Sequence, residues 1–240
     1  MTIGVVLVTY NTGDVLLECL ESLLAATQAQ GCPEMRVLVV DNTSPIDTLG
    51  NLKTWAKGGV NERFRTDGLE RPFEIAPRKG DIQIDAQNFL SQGYHTKLAT
   101  TAENTIGFLQ SGSNGGFAAG VNHGLQTFLR MPEVEYFWLL NSDAMTEIQT
   151  PKELVAMARK IESQGDRFGI IGGRTYLTQP SLVIQSDGGR IGKWTGRLLP
   201  FNLGARGRAA AGPNSSELEY LTGCHMFVSR DFVDRVGLMP

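Results

Sequence analysis

Two aspartates stand where apolar runs end. Asp41 follows Arg36-Val37-Leu38-Val39-Val40 and opens the polar stretch Asp41-Asn42-Thr43-Ser44-Pro45, while Asp143 closes Asn141-Ser142-Asp143 after Tyr136-Phe137-Trp138-Leu139-Leu140. A carboxylate in the place of Asp41 can accept from the N–H of a uracil or thymine, or from a ribose hydroxyl. Thr9, Tyr10 and Asn11, which end the first apolar run, add polar groups and a ring face for stacking. A carboxylate in the place of Asp143 suits a hard divalent cation, Mg2+ or Mn2+, which needs few protein carboxylates when water and diphosphate oxygens fill its other positions. A third group, Ser113-Asn114-Gly115-Gly116-Phe117-Ala118-Ala119-Gly120-Val121-Asn122-His123-Gly124, spans a loop and the start of a helix. Backbone N–H groups at a helix N-terminus hold anions, and small residues allow close approach. Each group also has a plainer use: Asp, Asn and Ser cap helices and form turns, and glycines permit tight helix–sheet packing. Arg206 and Arg208 could fold over a diphosphate, although solvated loop arginines are commoner.

The elements that must position these residues are readable from periodicity. Ile3 to Val8 is an unbroken aliphatic run, and Val15, Leu16, Cys19, Leu20, Leu23 and Leu24 then recur at helical spacing, so strand, polar turn and helix lead into the strand that ends at Asp41. Such βαβ units give parallel strands, whose ligands bind beyond the carboxyl ends. Thr105 to Gln110 predicts a third strand, followed by a helix with Phe117, Val121, Leu125 and Phe128 on its apolar face, and Tyr136 to Leu140 a fourth. Leu154, Val155, Ala158 and Ile161 mark the next helix. Between Lys57 and Asn104 the pattern dissolves into glycine, proline and charge, which is read as a long inserted surface segment. Beyond Phe168 the expectations are a strand from Ile170 to Leu177, a hairpin around Asp187-Gly188-Gly189 and a mobile loop from Gly204 to Gly212. Glu219 to Ser229 is expected as a last strand containing Gly223, with Asp231 capping a short helix.

Composition narrows the function classes. The chain has 240 residues, 22 basic and 25 acidic, and a net charge of −3, so no electrostatic footprint for nucleic acid is present. Cys19, Cys32 and Cys224 lack the spacing of a zinc site or disulfide framework and point to a reducing cytoplasm. The N-terminal apolar run is too short for a signal or a membrane span. His95, His123 and His225 form no zinc pattern, and neither a Gly-x-Ser-x-Gly elbow nor a phosphate-binding Gly-x-x-x-x-Gly-Lys-Ser/Thr loop occurs.

Val8-Thr9-Tyr10-Asn11, Val40-Asp41-Asn42-Thr43-Ser44, Asn114 to Asn122 and Trp138 to Asp143 together resemble family 2 glycosyltransferases in order and spacing. Gly188 to Arg197 and Leu221 to Arg230 resemble the rhamnosyltransferase-like branch. The resemblance implies an α/β chain of GT-A type, with a mostly parallel twisted sheet flanked by helices and a Rossmann-like N-terminal half. It implies one GT-A-like domain over 1–240: a nucleotide-sugar-binding half over 1–143 with an insertion at about 60–103, and an acceptor-side half over 144–240. Thr9, Tyr10, Asn11, Asp41, Asn42, Asn114, Gly116, Phe117, Asn141, Ser142 and Asp143 would line the nucleotide-sugar site, with Thr222 and Gly223 on the donor or acceptor side. Asp143 would be the ligand for Mg2+ or Mn2+ in a degenerate Asp-x-Asp motif, whose first position is here Asn141.

The implied reaction is an inverting, metal-assisted transfer of a sugar, rhamnose being the branch's expectation, from a dTDP-, UDP- or GDP-linked donor to a glycan or lipid-linked acceptor. A cytoplasmic setting at the inner face of the membrane, with peripheral association, is compatible with it. In the family an aromatic stretch ending in a Glu-Asp pair follows a sequence like Val236-Gly237-Leu238-Met239-Pro240 and supplies the general base, so the chain reads as truncated and its base is expected after Pro240. Two other readings stay open: an NAD(P)-dependent oxidoreductase, because a glycine-rich turn opens a helix and Asp143 follows Gly120 at a suitable interval, and a non-catalytic nucleotide-sugar-binding module.

Overall fold

The computed structural model describes residues 1–57, 82–86, 105–179, 182–207 and 210–240. The expected insertion at about 60–103 lies outside the described residues except for 82–86, and so do His95 and Arg208.

The N-terminal half follows its periodicity. Strand β1 (Thr2–Thr9), helix α1 (Gly13–Thr27) and strand β2 (Glu34–Asp41) form the expected βαβ unit, with helix α2 (Thr48–Ala56) behind it. Strands β4 (Thr105–Gln110) and β5 (Val134–Asn141) flank helix α3 (Gly116–Leu129), and helix α4 (Thr150–Ser163) follows. A short strand β3 (Gln83–Asp85) pairs parallel with β4 and gives part of the supposed insertion a place at the sheet edge. The seven-stranded sheet has the order β3-β4-β2-β1-β5-β11-β6, where β6 is Ile170–Gly172 and β11 is His225–Ser229. Strands β1 to β5 pair in parallel and β6 runs in the same direction; β11 alone runs opposite, antiparallel to both β5 and β6. The α/β architecture, a mostly parallel sheet flanked by helices, is therefore as expected.

The sheet is buried on both faces, which is why its central strands read as continuous apolar runs rather than alternating ones. Ile3, Val5 and Leu7 of β1 meet Leu16, Leu20 and Leu23 of α1 on one face, whereas Val6 meets Val121, Leu125 and Phe128 of α3 on the other. Each such aliphatic side chain stabilises the fold by roughly 2 kcal/mol through removal from water. Helix α3 comes unusually close to β1. A β-carbon on Gly124 would stand 2.4 Å from Val6, and one on Gly120 would stand 2.5 Å from Val8. At the far end of α3, the guanidinium of Arg230 donates to the carbonyls of Leu129, Met131 and Val134 and so covers the open helix terminus.

The C-terminal part departs from expectation. The strand predicted from Ile170 to Leu177 breaks at Gly173-Arg174, so that β6 joins the large sheet while β7 (Thr175–Tyr176) pairs antiparallel with β8 (Ile184–Ser186). Asp187-Gly188-Gly189 is no hairpin tip but a corner between two ribbons, the second being β9 (Gly189–Ile191) with β10 (Leu198–Pro200). Glu219 to Cys224 is not strand, because Tyr220 bridges to Gly189 and the chain joins the sheet only at His225. Helix α5 (Arg230–Val236) is capped by the Ser229 hydroxyl, which accepts from Phe232 N–H, and not by Asp231. The described part of the loop expected to be mobile is tied down: Gly204 and Gly207 N–H donate to the carbonyls of Ile184 and Leu182.

Candidate functional site

Register places the predicted residues along one edge. Thr9 is opposite Asp41, Asp41 is opposite Gln110 and Val8 is opposite Asn141, so four parallel strands present their carboxyl ends together. The antiparallel β11 begins beside the end of β5, since His225 pairs with Leu140, and this brings Thr222 and Gly223 to the same edge. A β-carbon on Gly223 would lie 4.0 Å from the Phe117 ring at the start of α3. Asp41 on β2 and the Asn141-Ser142-Asp143 turn on β5 are separated by β1 alone. Two strand spacings amount to roughly 10 Å, the scale on which a nucleoside diphosphate extends.

The side chains divide into a buried support and an exposed face. Asp41 is only 2% exposed; its Oδ1 accepts from the backbone N–H of Ser44 at 3.0 Å and from the Ser44 hydroxyl, and its Oδ2 has no protein donor among the described residues. The Ser44 hydroxyl oxygen also accepts from the Asn11 N–H at 2.9 Å, which locks the loop after β1 to the loop after β2. A second link joins β1 to β5: the hydroxyls of Thr9 and Thr12 are hydrogen-bonded, and Thr12 is 3.2 Å from the Ser142 hydroxyl. Asn42, also 2% exposed, donates from Nδ2 to the carbonyl of Gly116 at 2.8 Å and holds the start of α3 against β2. Its Oδ1 is buried without a partner in the described residues, pressed toward Gly120.

The side-chain polar atoms of Thr9, Asn42 and Ser142, residues expected at the nucleotide-sugar site, are buried and turned toward the neighbouring loops. Tyr10 (50% exposed) and Phe117 (39% exposed), with exposed Asn11, Asn114, Gly116, Asp143 and Gly223, form the open face. Phe117 was expected on the apolar face of α3; it lies at the exposed first turn instead, free of the sheet. Ser44 and Thr12 were not singled out from sequence. For Ser44 a signal existed, because a serine three residues after an aspartate commonly closes a turn on its carboxylate.

Strain concentrates in the same loops. Among the described residues four non-glycines have positive φ, and two of them, Asn11 (56°) and Thr43 (62°), sit in the loops after β1 and β2. For a β-branched threonine that region is costly and persists only when surrounding contacts impose it, as the Ser44 bonds do here.

The glycines of the third constellation split into two uses. Gly120 and Gly124 serve packing, whereas Gly115 and Gly116 (φ +83°) form the exposed turn, with Asn114 Oδ1 accepting from Gly116 N–H at 3.1 Å. No side chain caps α3 at Gly115, which leaves first-turn N–H groups open at the edge. No cluster of three metal-ligating side chains exists among the described residues. Asp143 offers one exposed carboxylate, and the Asn141 carbonyl beside it is engaged by the Ala144 N–H and the Cys19 thiol. The donor set fits a hard cation that takes its other ligands from diphosphate and water, not an all-protein cage. Burial, and secondarily the charge of Asp143, push the Cys19 thiol well above its usual range, so it is neutral and no candidate nucleophile or ligand.

Sheet order also decides against the dinucleotide reading. The glycine-rich turn follows β4 and Asp143 follows β5, with β2 and β1 lying between. Three strand spacings, about 14 Å, are too far for an acid that must reach the ribose next to its own pyrophosphate turn.

Residues 4–71 match the family model described as Glycosyl transferase family 2. That match takes in Thr9, Tyr10, Asn11, Asp41 and Asn42. No curated protein matches the chain. Among solved structures, S. aureus TarS 1-349 in complex with UDP-GlcNAc is 21% identical over 68% of this chain and 32% of its own, with a TM-score of 0.39. The mannosyltransferase PcManGT from Pyrobaculum calidifontis, in complex with GDP-Man and Mn2+, is 14% identical over 99% of this chain and 47% of its own, with a TM-score of 0.49. The chain spans about a third of the first of these proteins and about half of the second. Among the described residues no helix is long and apolar enough to cross a membrane.

Proposed function

We propose that the chain belongs to a GT-A-type, family 2 glycosyltransferase and that its carboxyl edge holds a nucleoside-diphosphate sugar. The observation that carries this reading is the placement of Asp41 and Asp143 two strands apart, across a loop pair that the family model covers on the Asp41 side. Asp41 Oδ2 takes a base N–H or ribose hydroxyl, with Tyr10 against the ring. The diphosphate lies toward Asp143 and the open first turn of α3. A divalent cation held there by Asp143 would offset the charge that builds on the leaving diphosphate. Phe117 and Gly223 border the sugar, and the acceptor is a glycan or a lipid-linked glycan. Transfer is inverting, with the acceptor hydroxyl giving up its proton as the sugar passes to it. Rhamnose is the donor sugar this branch suggests.

The test is calorimetric titration of UDP, dTDP and GDP with and without Mn2+. At least one nucleotide should bind in a Mn2+-dependent manner. Asp41→Asn should weaken it by about tenfold through loss of one charge-assisted hydrogen bond, and Asp143→Asn should abolish the dependence on Mn2+. Binding of NAD(H) without metal, or nucleotide binding indifferent to both substitutions, would refute the assignment. A full-length protein that binds donor but neither transfers nor hydrolyses it would leave a binding module.

A further inference from the structure

The β9–β10 ribbon projects apolar surface that the fold does not use. Trp194 at its tip is 99% exposed, Leu198 60%, Leu199 52% and nearby Leu203 63%. Leu198 and Leu199 are successive residues of one strand and face opposite sides, so both faces of the ribbon are open to solvent. The tip is nonetheless closed by backbone bonds: Gly192 N–H donates to Arg197 O at 2.8 Å, and the N–H groups of Thr195 and Gly196 donate to Gly192 O. Charge is one-sided as well. From Gly188 to Gly207 the chain has Arg190, Lys193, Arg197 and Arg206 and no acidic residue, within a protein of net charge −3. The acids nearest the ribbon lie at its base, where Asp187 pairs with Arg174 at 2.7 Å, Glu217 pairs with Arg190 at 2.6 Å and Glu219 accepts from Ile191 N–H. Lys193 and Arg197, which flank Trp194, have no ion pair in the described residues.

We propose that this hairpin docks on an anionic lipid surface, with Trp194 at the headgroup level and Lys193 and Arg197 on the lipid phosphates. An exposed tryptophan flanked by aliphatic and basic side chains matches an interface that is apolar beneath and negatively charged above. The ribbon is bonded at its base to Glu219 and Tyr220, three and two residues before Thr222, so docking sets the carboxyl edge near the membrane plane, where a lipid-linked acceptor is presented. That last consequence rests on the proposed transferase reading; lipid binding itself does not.

The full chain is sedimented with vesicles of phosphatidylcholine and phosphatidylglycerol in equal parts, and with phosphatidylcholine alone. Binding to the mixed vesicles only, weakened by salt, is expected. Trp55 and Trp138 are buried, so a blue shift of emission on binding reports Trp194. The pair Lys193→Glu and Arg197→Glu should lower partitioning by at least about tenfold, with the thermal midpoint and nucleotide binding unchanged. Trp194→Phe should remove the spectral change while retaining most of the binding. Absence of binding to the mixed vesicles, binding indifferent to the double charge reversal, or a concentration-dependent burial of Trp194 without lipid, which would mark a second copy as the occupant, each overturns the proposal. Nucleotide titration is independent of every one of these outcomes, so either reading can fail alone.

Discussion

The carboxyl edge of β1, β2 and β5 and the pair of ribbons β7–β8 and β9–β10 are held by opposite means. At the carboxyl edge, apolar strands fill both faces and the few polar side chains at their ends are organised by hydroxyl and carboxylate bonds. In the ribbons the buried apolar side chains are few, Val183 and Ile184, and one charged clamp supplements them: Arg174 reaches both oxygens of Asp187 at 2.8 and 2.7 Å, and Asn202 Nδ2 donates to the same carboxylate at 2.6 Å. Arg174 and Asn202 also donate to the carbonyls of Ala210 and Ala211, which ties the following loop to the clamp. A region built on packing loses stability throughout when it is disturbed, whereas a region built on one polar knot comes loose locally.

The largest effect is expected from breaking the packed region. Gly124→Val inserts three carbons where even one would stand 2.4 Å from Val6. A cost of about 3 kcal/mol or more is expected from overpacking the helix against the sheet, read as a lower denaturation midpoint with protection lost in β1, β2 and β5 together.

His225 tests the border between the two regions. Its Nδ1 accepts from Trp138 Nε1 at 2.8 Å and its other nitrogen lies against Gly173, directly before the clamp arginine. Burial lowers its pKa from 6.5 to about 4. Between those values the unfolded chain binds a proton that the folded chain refuses, so stability falls as pH drops from 6.5 toward about 4 and loses nothing more from this group below that. The loss amounts to up to about 3 kcal/mol. His225→Gln, which keeps an acceptor for Trp138, should flatten that part of the stability curve in denaturant melts at a series of pH values.

Cutting the clamp should do less, and in one place. Burial would raise the Asp187 carboxyl, but the bonds from Arg174 and Asn202 outweigh it and hold the group below the usual carboxylate range. Its stabilisation is therefore present at neutral pH and disappears as pH falls through that lowered value. Asp187→Ala is expected to cost about 2 kcal/mol by leaving a half-buried guanidinium poorly paired. Hydrogen exchange should accelerate in β7, β8 and residues 201–207 while β1, β2 and β5 stay protected. Equal acceleration in both regions would mean that the ribbons are integral to the main core.

Strands β1, β2, β4 and β5 and helices α1, α3 and α4 were readable from the sequence because each buries a long regular stripe, and hydrophobic burial scarcely depends on which partner supplies it. The strand-end position of Asp41 and Asp143 followed from the same runs. The short ribbons were misread because two- and three-residue strands have no periodicity; their course depends on Arg174, Asp187 and Asn202 meeting across up to 28 residues of chain. Likewise, residue type marked Thr9, Asn42 and Ser142 as polar groups near a site, but only tertiary contacts turned them inward and left Tyr10, Phe117 and Asp143 outside. The order of apolar runs determined by itself which residues would stand at the edge of the sheet, since strand direction and burial are local consequences of side-chain type. Which of those residues stay exposed at the edge, and that a basic, tryptophan-tipped ribbon stands free of the core, were decided by long-range hydrogen bonds and packing that no local pattern encodes.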